Sequence, residues 1–310
     1  MTTAEDDHDE QHGRPSEWEA AWDVLGPVTD LVTPMAVRVA ASLGLADLMA
    51  DDAMPVEELA RRSDTNADAL GRLLRHLVCR GVFTEPEPGR FAVNEPAALL
   101  ASDHPSGMRV RLDLGGFGGQ MDLAFTGLLH TVRTGQPAWE TVVGAPFWRY
   151  LAAHPEMSGS FDAMMASRAD YVADAARGYD WSGVRDVVDV GGGTGALLAE
   201  VLRAHPDIRA TLVDLPDTVD RGRHYLAERG LAARCEFVGQ SFVVIESHGG
   251  SGADPAMFAE MNLRMLVLSG GRERTVEDYI AIAAEAGLDV ADVHRTALGH
   301  VILDCVPLSP

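Results

Sequence analysis

The sequence predicts an α/β Rossmann-like domain preceded by a mainly α winged-helix domain. Three observations carry this. A helix, turn, helix, hairpin order lies in the first hundred residues. Short β-branched runs alternate with helical stretches after Trp181, as parallel strands with crossover helices do. Between these runs, a strand enters a glycine-rich turn that opens a helix, at Asp186 to Leu202.

Residues 1–17 read as a disordered acidic tail, polar and without an apolar core that could serve as a signal peptide or an anchor. Residues 18–111 form the winged-helix unit. Val28, Leu31, Val32, Met35 and Val39 recur at helical spacing, with Leu43 and Leu45 following, which predicts two amphipathic helices. Met54 to Ala60 reads as a short helix with Pro55 in its first turn. Ala69, Leu70, Leu73, Leu74, Leu77 and Val78 then make one apolar helical face, ended by Gly81. Val82-Phe83-Thr84 and Arg90-Phe91-Ala92-Val93 are β-prone runs joined by the turn residues Glu85 to Gly89. Residues 112–180 are mainly helical, interrupted at Gly115 to Gly119 and at Gly135-Gln136-Pro137, and bridge to the α/β domain of residues 181–310.

Charge narrows the function classes. A formal net charge of −22 and a pI near 4.7 repel phosphate backbones and anionic lipid headgroups, so neither nucleic acid nor membrane is an expected partner. The candidate recognition helix carries Arg72, Arg75 and His76 among leucines, without a basic stripe. Cys79, Cys235 and Cys305 lack metal-ligand spacing and read as buried small hydrophobes in a reducing cytoplasm, and no metal cluster is evident.

The most informative stretch is Val188-Asp189-Val190-Gly191-Gly192-Gly193-Thr194-Gly195. A buried strand entering such a loop lets a ligand approach the backbone at a helix N-terminus. A second strand, Ala210 to Val213, ends in Asp214, 25 positions after Asp189, where an acid can accept hydrogen bonds from both hydroxyls of a ribose. A dinucleotide fingerprint orders its glycines G-x-G-x-x-G, whereas the order here is G-G-G-x-G, which favours S-adenosyl-L-methionine.

With Leu212-Val213-Asp214-Leu215-Pro216, this loop resembles the plant-caffeate and bacterial-polyketide class of S-adenosylmethionine-dependent O-methyltransferases. Further likeness lies in Gly135-Gln136-Pro137, Phe147-Trp148, Phe161 to Met165 and Gly270 to Thr275, and it extends from about Trp18 to Asp304. The resemblance implies a Rossmann-like methyltransferase domain, a winged-helix dimerisation domain, a homodimer and a small aromatic hydroxyl substrate of polyketide, naphthoate or anthraquinone type. It also implies site residues. Asp189, Gly191 and Gly193 would line the methionine end of the cofactor, Asp214 would bind ribose, and Ser241 and Phe242 would lie against adenine, Ser241 standing where many relatives have an acid. Phe147, Trp148, Met165, Asn262 and Met265 would face the acceptor or the sulfonium.

The pattern breaks after Phe242. The family's general base is a histidine in a His-Asp-Trp segment between the third and fifth strands, and this chain has no such segment. Cys235 to Phe242 reads as the third strand and its loop, and Val243 to Ser247 follows at once as the fifth. Neighbouring parallel strands need a crossover of about a dozen residues or more, so either Cys235 to Ser247 is a single long strand in a rebuilt sheet or, the favoured reading, roughly forty residues, a helix, strand, helix passage, are missing between 242 and 243. The carboxylates that flank the family's histidine remain as Glu246 and Glu273. His130, His248 and His300 lack a paired motif and read as structural or exposed. Two other readings stand beside methyl transfer: a non-methylating relative that uses the bound cofactor in decarboxylation, hydroxylation or ring closure, and a winged-helix ligand-sensing regulator.

Overall fold

The computed structural model describes residues 16–49, 52–166, 169–239, 255–285, 287–297 and 301–307. Ser16 caps the first helix, α1 (Glu17–Thr29), and completes a capping box with Glu19, so the last two residues of the expected tail belong to a helix start. Helix α2 (Val32–Ser42) follows a break at Asp30, whose extended backbone (φ −64°, ψ 124°) ends α1. The stretch Glu17–Ser42 is long and apolar enough by composition to cross a membrane. It is instead two helices that present an apolar outer face, with Trp18, Trp22, Leu25, Val28, Leu31, Val32 and Met35 exposed in the single chain. A patch of this kind marks an interaction surface.

The winged-helix unit continues through α3 (Leu45–Leu48), β1 (Met54–Pro55), α4 (Val56–Arg62), α5 (Ala67–Cys79), β2 (Thr84–Glu87) and β3 (Arg90–Ala92). Its core gathers Leu45, Leu59, Leu74, Leu77, Phe83 and Phe91. Two expectations need correction. Met54 and Pro55 are a strand paired antiparallel with Phe91 and Arg90, so the helix starts one residue after Pro55, which serves as its N-cap. The wing strand runs through Thr84–Glu87, and the turn shrinks to the two residues before Arg90, where Gly89 has φ 78°. Arg72 and Arg75 pair with Asp68 and Glu85, and His76 contacts Thr33.

The bridging region is helical: α6 (Glu95–Ala98), α7 (Met108–Leu112), α8 (Phe117–Ala124), α9 (Leu128–Thr134), α10 (Ala138–Val143), α11 (Phe147–Ala153), α12 (Pro155–Ala166) and α13 (Ala169–Arg177). Its second core stacks Phe117, Trp139, Phe147 and Phe161 in mostly edge-to-face pairs with centroids 4.9 to 6.1 Å apart.

The α/β domain carries a parallel sheet ordered β4-β5-β6, from β4 (Asp186–Val190), β5 (Arg209–Asp214) and β6 (Cys235–Gly239), with crossover helices α14 (Ala196–Ala204) and α15 (Pro216–Glu228). The register sets Asp189 opposite Leu212 and Asp214 opposite Gly239, so both acids end at the carboxyl edge of the sheet. Beyond it lie α16 (Pro255–Ser269), α17 (Val276–Glu285) and an antiparallel pair, β7 (Leu288–Arg295) and β8 (Val301–Pro307).

The strand feeding the glycine loop is not buried as its sequence suggests. Val188 is 62% and Val190 46% exposed; the exposure alternates along the strand, so it is one face of β4 that stands open among the described residues, where β4 also pairs only with β5. The cysteines also depart from expectation: Cys79 and Cys305 are exposed and Cys235 is half-buried, all three as free thiols.

Candidate active site

Strand β4 delivers Asp189 to the carboxyl edge of the sheet, and the loop after it is held by a hydrogen bond from the Gly191 N–H to the Val213 carbonyl at 2.7 Å. A Cβ at Gly192 would stand 2.5 Å from the Asp189 carboxylate and 2.6 Å from Leu212, so both side chains would have to move to admit one. Gly193 has φ 59° and turns its N–H onto Asp214 Oδ2 at 2.8 Å, while the Leu215 N–H donates to Asp214 Oδ1 at 2.7 Å. Asp214 is therefore aimed by two backbone donors. Each of its oxygens keeps a lone pair for a further donor.

Asp189 differs. Its Oδ2 is buried and has no hydrogen-bond partner. Burial, and then the negative charge of Asp214, push its carboxyl up to about 6. The folded chain thus holds a proton that the unfolded chain releases between pH 3.8 and about 6. This group costs the ligand-free protein stability as pH rises through that window, by about 3 kcal/mol in order of magnitude. A cation bound against Asp189 reverses the preference. Affinity for a cationic cofactor is therefore expected to be about tenfold weaker at pH 5 than at pH 7, as calorimetric titration at the two values can show; a pH-independent affinity would separate Asp189 from the cation.

Both acids line a cleft of about 280 Å³. Gly191, Gly192, Gly193, Thr194, Leu215 and Thr218 complete its sheet side, and Trp148, Phe161, Asp162 and Met165 stand on its helical side. Of the residues singled out from sequence, the cleft gathers Asp189, Gly191, Gly193, Asp214, Trp148 and Met165. Phe147 is 8% exposed and packs in the aromatic core behind Trp148, whose ring meets it edge-on at 4.7 Å. Asn262 and Met265 lie on α16 outside the lining. There the Asn262 Oδ1 accepts the Glu273 N–H at 3.0 Å and the Met265 carbonyl accepts the Gly271 N–H at 3.2 Å. Glu273 is 8% exposed. Ser241, Phe242, Glu246, His248 and His300 fall outside the described residues. Ser158, Phe161, Asp162 and Thr218 line the cleft without having been singled out individually. The helical spacing of the first three with Met165 was the available signal. Among the described residues no group of three or more His, Cys, Asp or Glu side chains is placed to hold a metal ion.

A glycine loop after the first strand, an aimed acid on the second and a cleft at the carboxyl edge define an α/β protein that binds a nucleoside cofactor. The comparisons with known proteins make this specific. A model of the O-methyltransferase domain matches residues 125–244, and a model of the O-methyltransferase dimerisation domain matches residues 28–103. The chain belongs to the O-methyltransferase family and uses S-adenosylmethionine. It is 37% identical to 2,7-dihydroxy-5-methyl-1-naphthoate 7-O-methyltransferase of Streptomyces carzinostaticus, over 90% of this chain and 96% of that one. It is 39% identical to aclacinomycin 10-hydroxylase of Streptomyces purpurascens, over 86% and 84%. The crystal structure of an O-methyltransferase from neocarzinostatin biosynthesis, in complex with S-adenosylmethionine and 2-hydroxy-5-methyl naphthoic acid, superposes with a TM-score of 0.81 at 35% identity, covering 91% of this chain and 98% of that one.

These alignments are longer than the residues this chain contributes. The match to the naphthoate enzyme spans 322 positions but takes in 90% of 310 residues, about 279, leaving about 43 positions without a residue from this chain. The match to the hydroxylase spans 315 positions and takes in 86%, about 267 residues, leaving about 48.

Proposed function

We propose that this O-methyltransferase methylates a phenolic hydroxyl of a small fused-ring aromatic compound of naphthoate or related polyketide type, in natural-product biosynthesis. The observation that carries this is the two-sided cleft, with glycine backbone and two acids on one wall and Trp148, Phe161 and Met165 on the other. When bound, S-adenosylmethionine supplies an electrophilic methyl on a sulfonium. Asp214 holds the two ribose hydroxyls, Asp189 takes the cofactor's cationic amino group, and Gly191 and Gly193 admit its backbone-close approach. Trp148 and Met165 sandwich the flat acceptor, and Phe147 backs Trp148 from the core. Most of the acceleration comes from holding the two reactants in line, with a base adding a smaller factor.

The base belongs to a segment of about 43 residues between 242 and 243 in the native chain, and its histidine stands against Glu246 and Glu273. The surplus positions in the relatives support this, as do the end of the family match at residue 244 and, among the described residues, the open apolar face of β4 and its edge without a partner strand. A carboxylate beside an imidazole fixes its tautomer and stabilises the cation formed when it takes the phenol proton. The apolar face of α1 and α2 is the homodimer surface, and the free thiols fit a cytoplasmic protein. Pairing of Arg72 and Arg75 with carboxylates leaves little for a phosphate backbone.

Incubation of the native-length protein with S-adenosylmethionine and a panel of aromatic hydroxy acids, read by mass spectrometry, tests the assignment. Hydroxynaphthoic acids are expected to gain one methyl on oxygen. Cofactor binding with no methylated member of the panel would reject the acceptor class.

A further inference from the structure

Helix α12 turns one face to the cleft, carrying Ser158, Phe161, Asp162 and Met165 at the i, i+3, i+4, i+7 spacing of a helical stripe. Helix α15, which leaves the ribose acid Asp214, carries Thr218 into the same cleft and Arg221 one turn later. The Arg221 guanidinium joins the two helices. Its Nε–H donates to Asp162 Oδ2 at 2.5 Å, and Nη2 donates to Ser158 Oγ at 2.7 Å and to Thr218 Oγ1 at 3.2 Å. All three partners line the cleft.

The Arg221 side chain keeps 31% of its surface, while Asp162 is the buried partner at 9% exposed. Burial raises its carboxyl above the ordinary range, against the opposing pull of Arg221, and the charge of Asp214 pushes the same way as burial. Removing one partner of such a pair costs more than the pair contributes in net stability, because the other is left buried and uncompensated. The arginine fork also fixes direction as well as distance. Two helices joined in this way cannot slide past one another without breaking the two hydrogen bonds that cross between them, to Asp162 and Ser158.

We propose that Arg221 and Asp162 form a positioning clamp that fixes the acceptor wall of the cleft, Phe161 and Met165 on α12, relative to the cofactor wall. Neither residue reacts, and the proposal rests on reading the cleft as the methyl-transfer site. The clamp sets the line from acceptor oxygen to methyl, where a displacement of about 1 Å can cost about a hundredfold in rate. It has little to do with cofactor affinity, since Asp214 and the glycine loop are held by their own backbone bonds.

The test uses Arg221→Gln, Arg221→Lys, Asp162→Asn and the double variant Arg221→Gln with Asp162→Asn. In Arg221→Gln, S-adenosylhomocysteine affinity is expected to stay within about threefold of wild type by calorimetry. Amide exchange in residues 155–166 of that complex is expected to speed up about tenfold or more, with residues 196–204 unchanged. For methylation of a dihydroxynaphthoic acid, kcat falls or acceptor KM rises about tenfold or more while cofactor KM holds. Lysine restores part of the loss, and the double variant is no worse than the more damaging single one. The clamp is overturned by unchanged exchange in 155–166, by equal acceleration in 196–204, or by losses that add in the double variant. A wild-type enzyme that ignores the naphthoate rejects the acceptor class instead, and the exchange measurement still decides the clamp.

Discussion

Asp214→Ala is expected to weaken S-adenosylmethionine binding by one to two orders of magnitude. About two charge-assisted hydrogen bonds to ribose are lost, each worth roughly 1.5 to 3 kcal/mol before water compensates. The substitution also removes the acceptor for the Gly193 and Leu215 N–H groups at 2.8 and 2.7 Å, so the glycine loop loses the anchor that holds its cofactor-facing backbone. Asp214→Asn is expected to fall between, since one amide oxygen can still accept from a backbone donor. Calorimetric titration measures both. An unchanged affinity in a folded Asp214→Ala protein would remove this residue from the cofactor site.

The second large effect concerns the base. The 310-residue chain retains Asp189, the glycine loop and Asp214, so its cofactor affinity is expected to match that of a chain carrying the segment between 242 and 243. Its rate on acceptors of ordinary phenolic acidity is expected to be about 10² to 10⁴ lower, the usual contribution of a positioned general base. Single-turnover rates with saturating cofactor compare the two chains. Equal rates would mean that the transfer needs no histidine from that segment, and that deprotonation is left to solvent or to another group of the cleft.

Much of this fold was legible because its signals are local and repeated. The apolar face of α5, the strand, glycine loop and helix of residues 186–202, and the strand ending in Asp214 all formed as read. The failures have a common cause in tertiary context. A two-residue strand at Met54 and Pro55 is too short to show a period, and only its partner, Phe91 and Arg90, defines it. Val188 sits in a run that reads as buried, yet burial of a strand depends on neighbours that sequence alone does not supply. Cys79 ends a helix and Cys305 lies in a strand, both exposed, which residue type does not predict.

The cleft shows the same division. Asp189 and Asp214 were legible because a glycine loop and the acid on the next strand follow from one supersecondary unit. Phe147 and Trp148 are neighbours on one helix, so they point about 100° apart, and only Trp148 can reach the lining. Phe161 and Asp162 belonged to a recognisable stretch, but their place on the wall depends on where α12 docks. Asn262 shows how a side chain can be spent on backbone: it holds the loop that carries Glu273.

The intact mass of the protein, purified from the cells that naturally make it, bears most directly on the methyltransferase assignment. A mass above the 33.2 kDa of this sequence by that of about 43 residues is the expected result. A mass of 33.2 kDa would contradict it. The crossover segment would then be absent, and the bound cofactor would serve a non-methylating reaction instead.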